Sequence, residues 1–313
     1  MQDVDLPMFH IGGWFDTYLR GTLHCYKDFA ARSTHRQQLL VGPWAHMPWC
    51  RRAGDVDFGL EAVNPVDRLQ LRWFDQFLKA VDTGLLDHQA VCLFEMGSNR
   101  WRNFDTWPGG THKSYFLSST GLASIREGEG TLSSKHPDTC PSDVLVHDPW
   151  RPVPALGGHA AVPAGSFERS HLDYRSDILT YTTEPLAADL HFAGDVAVEV
   201  WCTSDTPSHD LCAVLSEVRS DGSVYNLPQG YIHVSSSQKQ LQMPLQATCA
   251  RIEKGNALRL SLSAACFPAY PMNPGTGSPL GSTRLMDAQI VTLTVSCGGD
   301  CPSKVLLPIV QEI

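Results

Sequence analysis

Gly12-Gly13-Trp14-Phe15-Asp16 and, thirty residues on, Gly42-Pro43-Trp44-Ala45-His46 are the stretches from which the fold can be read. Each follows an apolar run of strand character, Pro7 to Ile11 and Gln37 to Val41. Between them Leu19, Leu23, Tyr26 and Ala30 recur at helical spacing. Strand, helix and strand predict a β-α-β unit, whose right-handed crossover leaves both strand ends at one edge of the sheet. Ligands and reacting groups of open α/β sheets gather at that edge. Asp16 and His46, each just past a strand end, should face each other across one or two strand spacings of about 4.8 Å. Acid followed by histidine is also the chain order of the last two members of a Ser-Asp-His set on such a sheet.

Plainer readings exist for each residue. Asp16 precedes a helix and fits an ordinary N-cap. A loop histidine can be structural, and Trp14 and Trp44 can be core fillers. The pairing favours chemistry: two turns built of Gly and Trp, each closing a strand, each end in a residue type that a triad needs.

Further along, Asn64-Pro65-x-Asp67 combines an N-cap, a proline at the first helical position and an acid in the first turn. Val66, Leu69, Trp73, Phe77 and Val81 then form one stripe, widened by Phe74 and Leu78, which predicts an amphipathic helix ending near Asp82-Thr83-Gly84. Val91 to Met96 reads as a strand. Beyond it, period-two runs recur at Val196 to Trp201, Leu258 to Ser263 and Val291 to Val295, the pattern of antiparallel sheets with one buried face each. Asp221-Gly222 marks a hairpin turn between two such runs. Long Pro/Gly-rich loops are expected at 148–165 and 268–281. The expected organisation is a partial α/β domain over residues 1–88 and an all-β, jelly-roll sandwich over residues 89–313.

At 313 residues the chain has the size of two domains. With 24 basic against 33 acidic residues, a net charge of −9 and no basic stripe, nucleic acid and anionic membrane surfaces are poor partners. No apolar stretch approaches the roughly 20 residues that span a bilayer. The acidic start, Met1-Gln2-Asp3-Val4-Asp5, is unlike a secretory signal, so a cytoplasmic location is expected. The ten cysteines include no C-x-x-C pair. Only Cys297 and Cys301 form a candidate disulfide, and no His/Cys cluster has metal-ligand spacing.

The two opening motifs resemble the acid and histidine motifs of the X-Pro dipeptidyl-peptidase-like and cocaine-esterase-like (CocE/NonD) serine hydrolases. The likeness continues through Asp57-Phe58-Gly59, Leu71-Arg72-Trp73-Phe74-Asp75, Phe94-Glu95-Met96-Gly97 and Trp101-Arg102. It runs on through Asp148-Pro149, Pro152-Val153-Pro154, Gly157-Gly158, Arg175 to Tyr181, Asp210-Leu211, Phe267-Pro268-x-Tyr270 and Asn273, to a C-terminal Leu-Pro-Ile. The resemblance implies the C-terminal part of an α/β-hydrolase domain followed by a jelly-roll, galactose-binding-like β-sandwich. It implies Asp16 as triad acid and His46 as general base. Tyr18 would line the acyl pocket, and the loop after Gly157-Gly158 would reach the site through Ala161 and Val162, which are small where relatives carry bulkier residues. No metal or organic cofactor is implied.

One departure is large. The family's nucleophile sits in a G-x-S-x-G elbow upstream of the acid, and no serine here has glycine at both −2 and +2. Gly277-Ser278-Pro279-Leu280-Gly281 has the wrong spacing. The chain therefore reads as the acid/base portion of a serine hydrolase whose serine lies elsewhere, in a truncated protein or on a separate chain of a split enzyme. A small ester or peptide is the implied substrate, and homo-oligomerisation stays open. The alternative is a non-catalytic β-sandwich module that binds carbohydrate or a protein partner.

Overall fold

The glycines of the first motif let two strands close on each other. In the computed structural model, which describes residues 4–235, 238–279 and 281–311, β1 (Met8–Phe15) pairs in parallel with β2 (Gln37–Ala45). Met1, Gln2 and Asp3 of the acidic start, and Leu280 of the Gly277–Gly281 stretch, lie outside the described residues. The register runs from Met8 against Gln37 to Gly13 against Gly42, then shifts so that Phe15 meets Ala45. A Cβ on Gly13 would lie 2.2 Å from the Trp44 carbonyl oxygen, so any larger residue would prise the strand ends apart. Both strands run through their motifs, which puts Asp16 and His46 directly after the last strand residues.

Helix α1 (Leu19–Arg32) buries Leu19, Leu23, Tyr26 and Phe29 on the face of Leu39 and Val41. Phe29 takes the place expected of Ala30, which is exposed, its ring tilted against His10 of β1 at 6.2 Å between centroids. Helix α2 (Val66–Leu78) covers the opposite face, where Leu40, Trp44 and Val66 cluster and Phe9 stacks on Trp73. Asn64 caps it, Oδ1 accepting the Val66 N–H at 2.7 Å. The helix stops at Leu78, short of the expected end, as Ala80 turns to φ +54°. Leu71, Phe74 and Leu78, at i, i+3 and i+7, form an outer stripe 67%, 52% and 76% exposed.

After the tiny hairpin of β3 (Arg52–Ala53) and β4 (Val56–Asp57), β5 (Val91–Glu95) joins β2 in parallel and β6 (Arg100–Phe104) adds antiparallel. The order is β1-β2-β5-β6, with β1 at an edge. The first sheet thus extends past residue 88, because Val91 to Leu93 pair with Leu39 to Val41.

The remaining strands are β7 (His112–Ser119), β8 (Gly130–Ser133), β9 (Asp143–His147), β10 (Leu179–Thr182), β11 (Leu190–Gly194), β12 (Ala197–Ser204) and β13 (His209–Val218). They continue as β14 (Val224–Val234), β15 (Gln240–Pro244), β16 (Thr248–Ile252), β17 (Ala257–Ser263), β18 (Val291–Ser296) and β19 (Lys304–Pro308). Eleven of them form one sheet in the order β14-β13-β17-β10-β8-β7-β19-β12-β18-β9, with β15 beside β12, and β11 pairs with β16. All these pairings are antiparallel except a single parallel contact of β10 with β8. The β13–β14 hairpin turns at Asp221-Gly222, where Gly222 has φ +86°.

The expectation of one buried face per strand holds on β9 and β18 and fails on β17, which is buried throughout. The short helix α3 (Ser170–Asp173) covers its polar face. There the Asp173 carboxylate accepts from Ser261 Oγ at 2.9 Å and pairs with Arg259 at 3.3 Å. The first sheet is keyed to the β region by backbone bonds from Met96 N to Cys249 O (3.0 Å) and from Arg251 N to Met96 O (2.8 Å). Beside them the buried Glu95 carboxylate bonds Arg102, Ser98 and His191 at 2.5, 2.6 and 2.9 Å. All ten cysteines are free thiols, Cys297 and Cys301 included. Among the described residues no helix is long and apolar enough to cross a membrane.

Candidate active site

The strand-end turns bring the two motif residues together. His46 Nδ1 lies 3.2 Å from Asp16 Oδ2. The other carboxylate oxygen, Oδ1, accepts the Tyr18 N–H at 2.8 Å, and the Asp16 carbonyl accepts Leu19 N at 3.2 Å as α1 begins. The N-cap of α1 is Tyr18 rather than Asp16, so one Asp16 oxygen holds the turn ahead of the helix while the other faces the imidazole. Asp16 is buried while His46 is mostly exposed, so the imidazole stands in solvent on a buried carboxylate. With Nδ1 engaged, Nε2 is the nitrogen left to exchange a proton.

Tyr18 is exposed and its ring centroid lies 4.8 Å from that of His46. Ala161 is packed, whereas Val162 is 99% exposed. The loop that carries them meets the acid turn one residue away, where Thr17 Oγ1 donates to the His159 carbonyl at 2.6 Å. Trp14 and Trp44 are both buried, their indole N–H groups bonding Phe94 O at 2.7 Å and Ala62 O at 2.9 Å, so they are core residues that stiffen the two turns.

Gln246 and His159 had no mark of their own in the sequence, and Tyr270 was marked only through the resemblance. Gln246, between β15 and β16, donates from Nε2 to the Asp16 carbonyl at 3.0 Å. His159 is buried and its Nε2 lies 3.4 Å from Tyr270 Oη. Tyr270 stacks on Tyr231 at 4.2 Å between centroids. Burial, reinforced by the Arg20 guanidinium, pushes the His159 imidazole down to about 4, so it is neutral at pH 7. Burial also pushes the Tyr270 phenol up to about 12. His159 and Tyr270 are thus both neutral at pH 7 beneath the acid turn. Among the described residues no group of three His, Cys, Asp or Glu side chains could hold a metal ion.

Residues 84–306 match the X-Pro dipeptidyl-peptidase C-terminal non-catalytic domain, and residues 1–48 match the X-Pro dipeptidyl-peptidase (S15 family). A cocaine esterase from Rhodococcus sp. is 26% identical over 98% of this chain and 57% of its own length. An aminopeptidase from a marine-sediment Thaumarchaeota archaeon superposes with a TM-score of 0.84 at 21% identity, over 98% of this chain and 55% of that one. An α-amino acid ester hydrolase does so with a TM-score of 0.82 at 22% identity, over 98% and 56%. The chain therefore spans little more than half the length of these relatives. With residues 84–306 matching one family model and 98% of this chain aligned to a cocaine esterase, the chain belongs to the X-Pro dipeptidyl-peptidase and cocaine-esterase (CocE/NonD) family of serine hydrolases.

Proposed function

We propose that this chain is the acid/base portion and C-terminal jelly roll of a serine hydrolase that cleaves ester or amide bonds by acyl transfer. The observation that carries the proposal is the 3.2 Å contact between Asp16 Oδ2 and His46 Nδ1 at the shared edge of two parallel strands. In the complete enzyme a serine, outside these 313 residues, attacks the acyl carbon while His46 Nε2 takes its proton. The same proton passes to the departing alcohol or amine, and water then repeats the sequence to release the acid. Asp16 holds the Nδ1–H tautomer and stabilises the imidazolium as it forms. Tyr18, its ring 4.8 Å from the imidazole, would line the acyl side of the pocket, and the loop after Gly157-Gly158 would reach it through Ala161 and Val162.

Without the nucleophile the pair has nothing to activate; serine loss alone costs about 10⁶ in kcat in comparable chemistry. The purified chain should give no ester turnover, and co-expression with the serine-bearing half of a family member should restore it. In that complete enzyme Asp16→Asn should lower kcat by about 10⁴. Ester turnover by this chain alone that is lost in His46→Ala would overturn the proposal. A second reading, a non-catalytic module binding carbohydrate or a protein partner, draws on the family description of the domain matching 84–306. Glycan or protein capture by the chain, unaffected by His46→Ala and with no activity on co-expression, would favour it.

A further inference from the structure

The turn that carries the acid is held from outside its own sheet. Gln246 Nε2 donates to the Asp16 carbonyl at 3.0 Å across 230 residues, and Thr17 Oγ1 donates to the His159 carbonyl at 2.6 Å. Both anchors rest on one rigid floor. Gln246 is buried, its own N–H bonding Gln229 O at 2.9 Å, and the preceding Leu245 N–H bonds Val196 O at 2.9 Å. Gly158, next to His159, bonds Gly165 in both directions at 2.7 and 2.9 Å. It presses so closely on Gln229 that a Cβ there would lie 2.2 Å from Oε1.

We propose that Gln246 is a positioning residue: together with the Thr17–His159 tie it fixes the Asp16–Thr17 peptide, and with it the direction in which the Asp16 carboxylate meets His46. The inference rests on the acid/base reading above and assigns a task to a region whose family is described as non-catalytic. Two features make the contact sensitive to such a clamp. His46 is mostly exposed, so Asp16 does much of the work of orienting it. Their 3.2 Å separation is longer than the 2.7–2.9 Å usual for charge-assisted bonds, so a small rotation of the acid turn is enough to break it.

The test is the tautomer of His46 in the chain itself, read from two-bond nitrogen-15 correlation spectra of histidine-labelled protein, with His46→Gln assigning the signals. The wild type should hold the Nδ1–H form, and Asp16→Asn should collapse it. Gln246→Met, which keeps the volume but removes the donor, should lower the Nδ1–H to Nε2–H ratio about three- to tenfold, the worth of one hydrogen bond. Thr17→Val, at an exposed position that does not endanger the fold, should lower it in the same direction and decides the matter should Gln246→Met fail to fold. A loss of stability alone would not move this ratio. If Asp16→Asn collapses the ratio while Gln246→Met and Thr17→Val leave it within about twofold of wild type, the clamp is refuted and the acid/base reading stands. If Asp16→Asn leaves the ratio unchanged, the acid/base reading itself fails.

Discussion

Asp16 serves two partners with two oxygens: Oδ1 accepts the Tyr18 N–H at 2.8 Å, and Oδ2 lies 3.2 Å from His46 Nδ1. Its bond to Tyr18 and its bond to His46 are both local consequences of strand-turn-helix geometry, so motif spacing was enough to bring acid and imidazole together. Gln246 and His159 were invisible for the opposite reason. Their contacts with the acid turn span 230 and 142 residues, and neither side chain belongs to a motif. His159 also sets a pH response. It is buried and neutral, its imidazole pushed from 6.5 to about 4, and burial lowers His147 and His209 as well. As pH falls from 6.5 to about 4 the unfolded chain takes up these protons while the native state resists, so stability falls across that window. His159 alone contributes on the order of 2–3 kcal/mol of that fall. His159→Gln, which keeps the backbone carbonyl that Thr17 uses, should flatten the decline in Tm between pH 7 and 4.5. An unchanged slope would count against it.

At the scale of elements, periodicity located the helices well and their outer faces poorly. The stripe on α2 was read as one apolar face, yet burial divides it: Val66 and Trp73 pack on the sheet while Phe74 and Leu78 face solvent, beside Leu71, which the stripe did not include. Hydrophobicity says that a side chain prefers cover, not which element supplies it. Likewise Arg259 and Ser261 on β17 read as a solvent face, and a distant four-residue helix buried them with Asp173. With the exposed α2 residues and β1 at a sheet edge, the first sheet is expected to self-associate. Leu71→Lys with Leu78→Lys should reduce light scattering of the purified chain while changing stability by no more than about 0.5 kcal/mol per substitution. Gly13→Ala should act in reverse: the 2.2 Å approach to the Trp44 carbonyl forbids the methyl group, and the β1–β2 pair should loosen with loss of the His46 contact.

Across the whole molecule the two regions are joined by the buried Glu95, Arg102 and His191 cluster as much as by backbone pairing. Burial by itself would raise the Glu95 carboxyl, but bonds from Ser98, His191 and Arg102 together hold it below the usual range. Arg102→Met should leave that charge uncompensated and cost about 3–5 kcal/mol in denaturant unfolding, while adding Glu95→Leu should recover most of the loss. An equal loss in the double variant would show that packing, not charge, is what the cluster supplies. The change of pattern was legible because period-two runs replace helix periodicity after residue 96, whereas the pairing of β5 with β2 and of β6 with β5 is a matter of register, which spacing does not show.

The 230-residue reach of Gln246 back to Asp16 has a consequence in time. At roughly 5–20 residues per second, the ribosome finishes β1, α1 and β2 tens of seconds before it delivers the glutamine that steadies them. The acid turn therefore waits for most of the chain, and a product stalled before Gln246 would carry Asp16 and His46 without that brace.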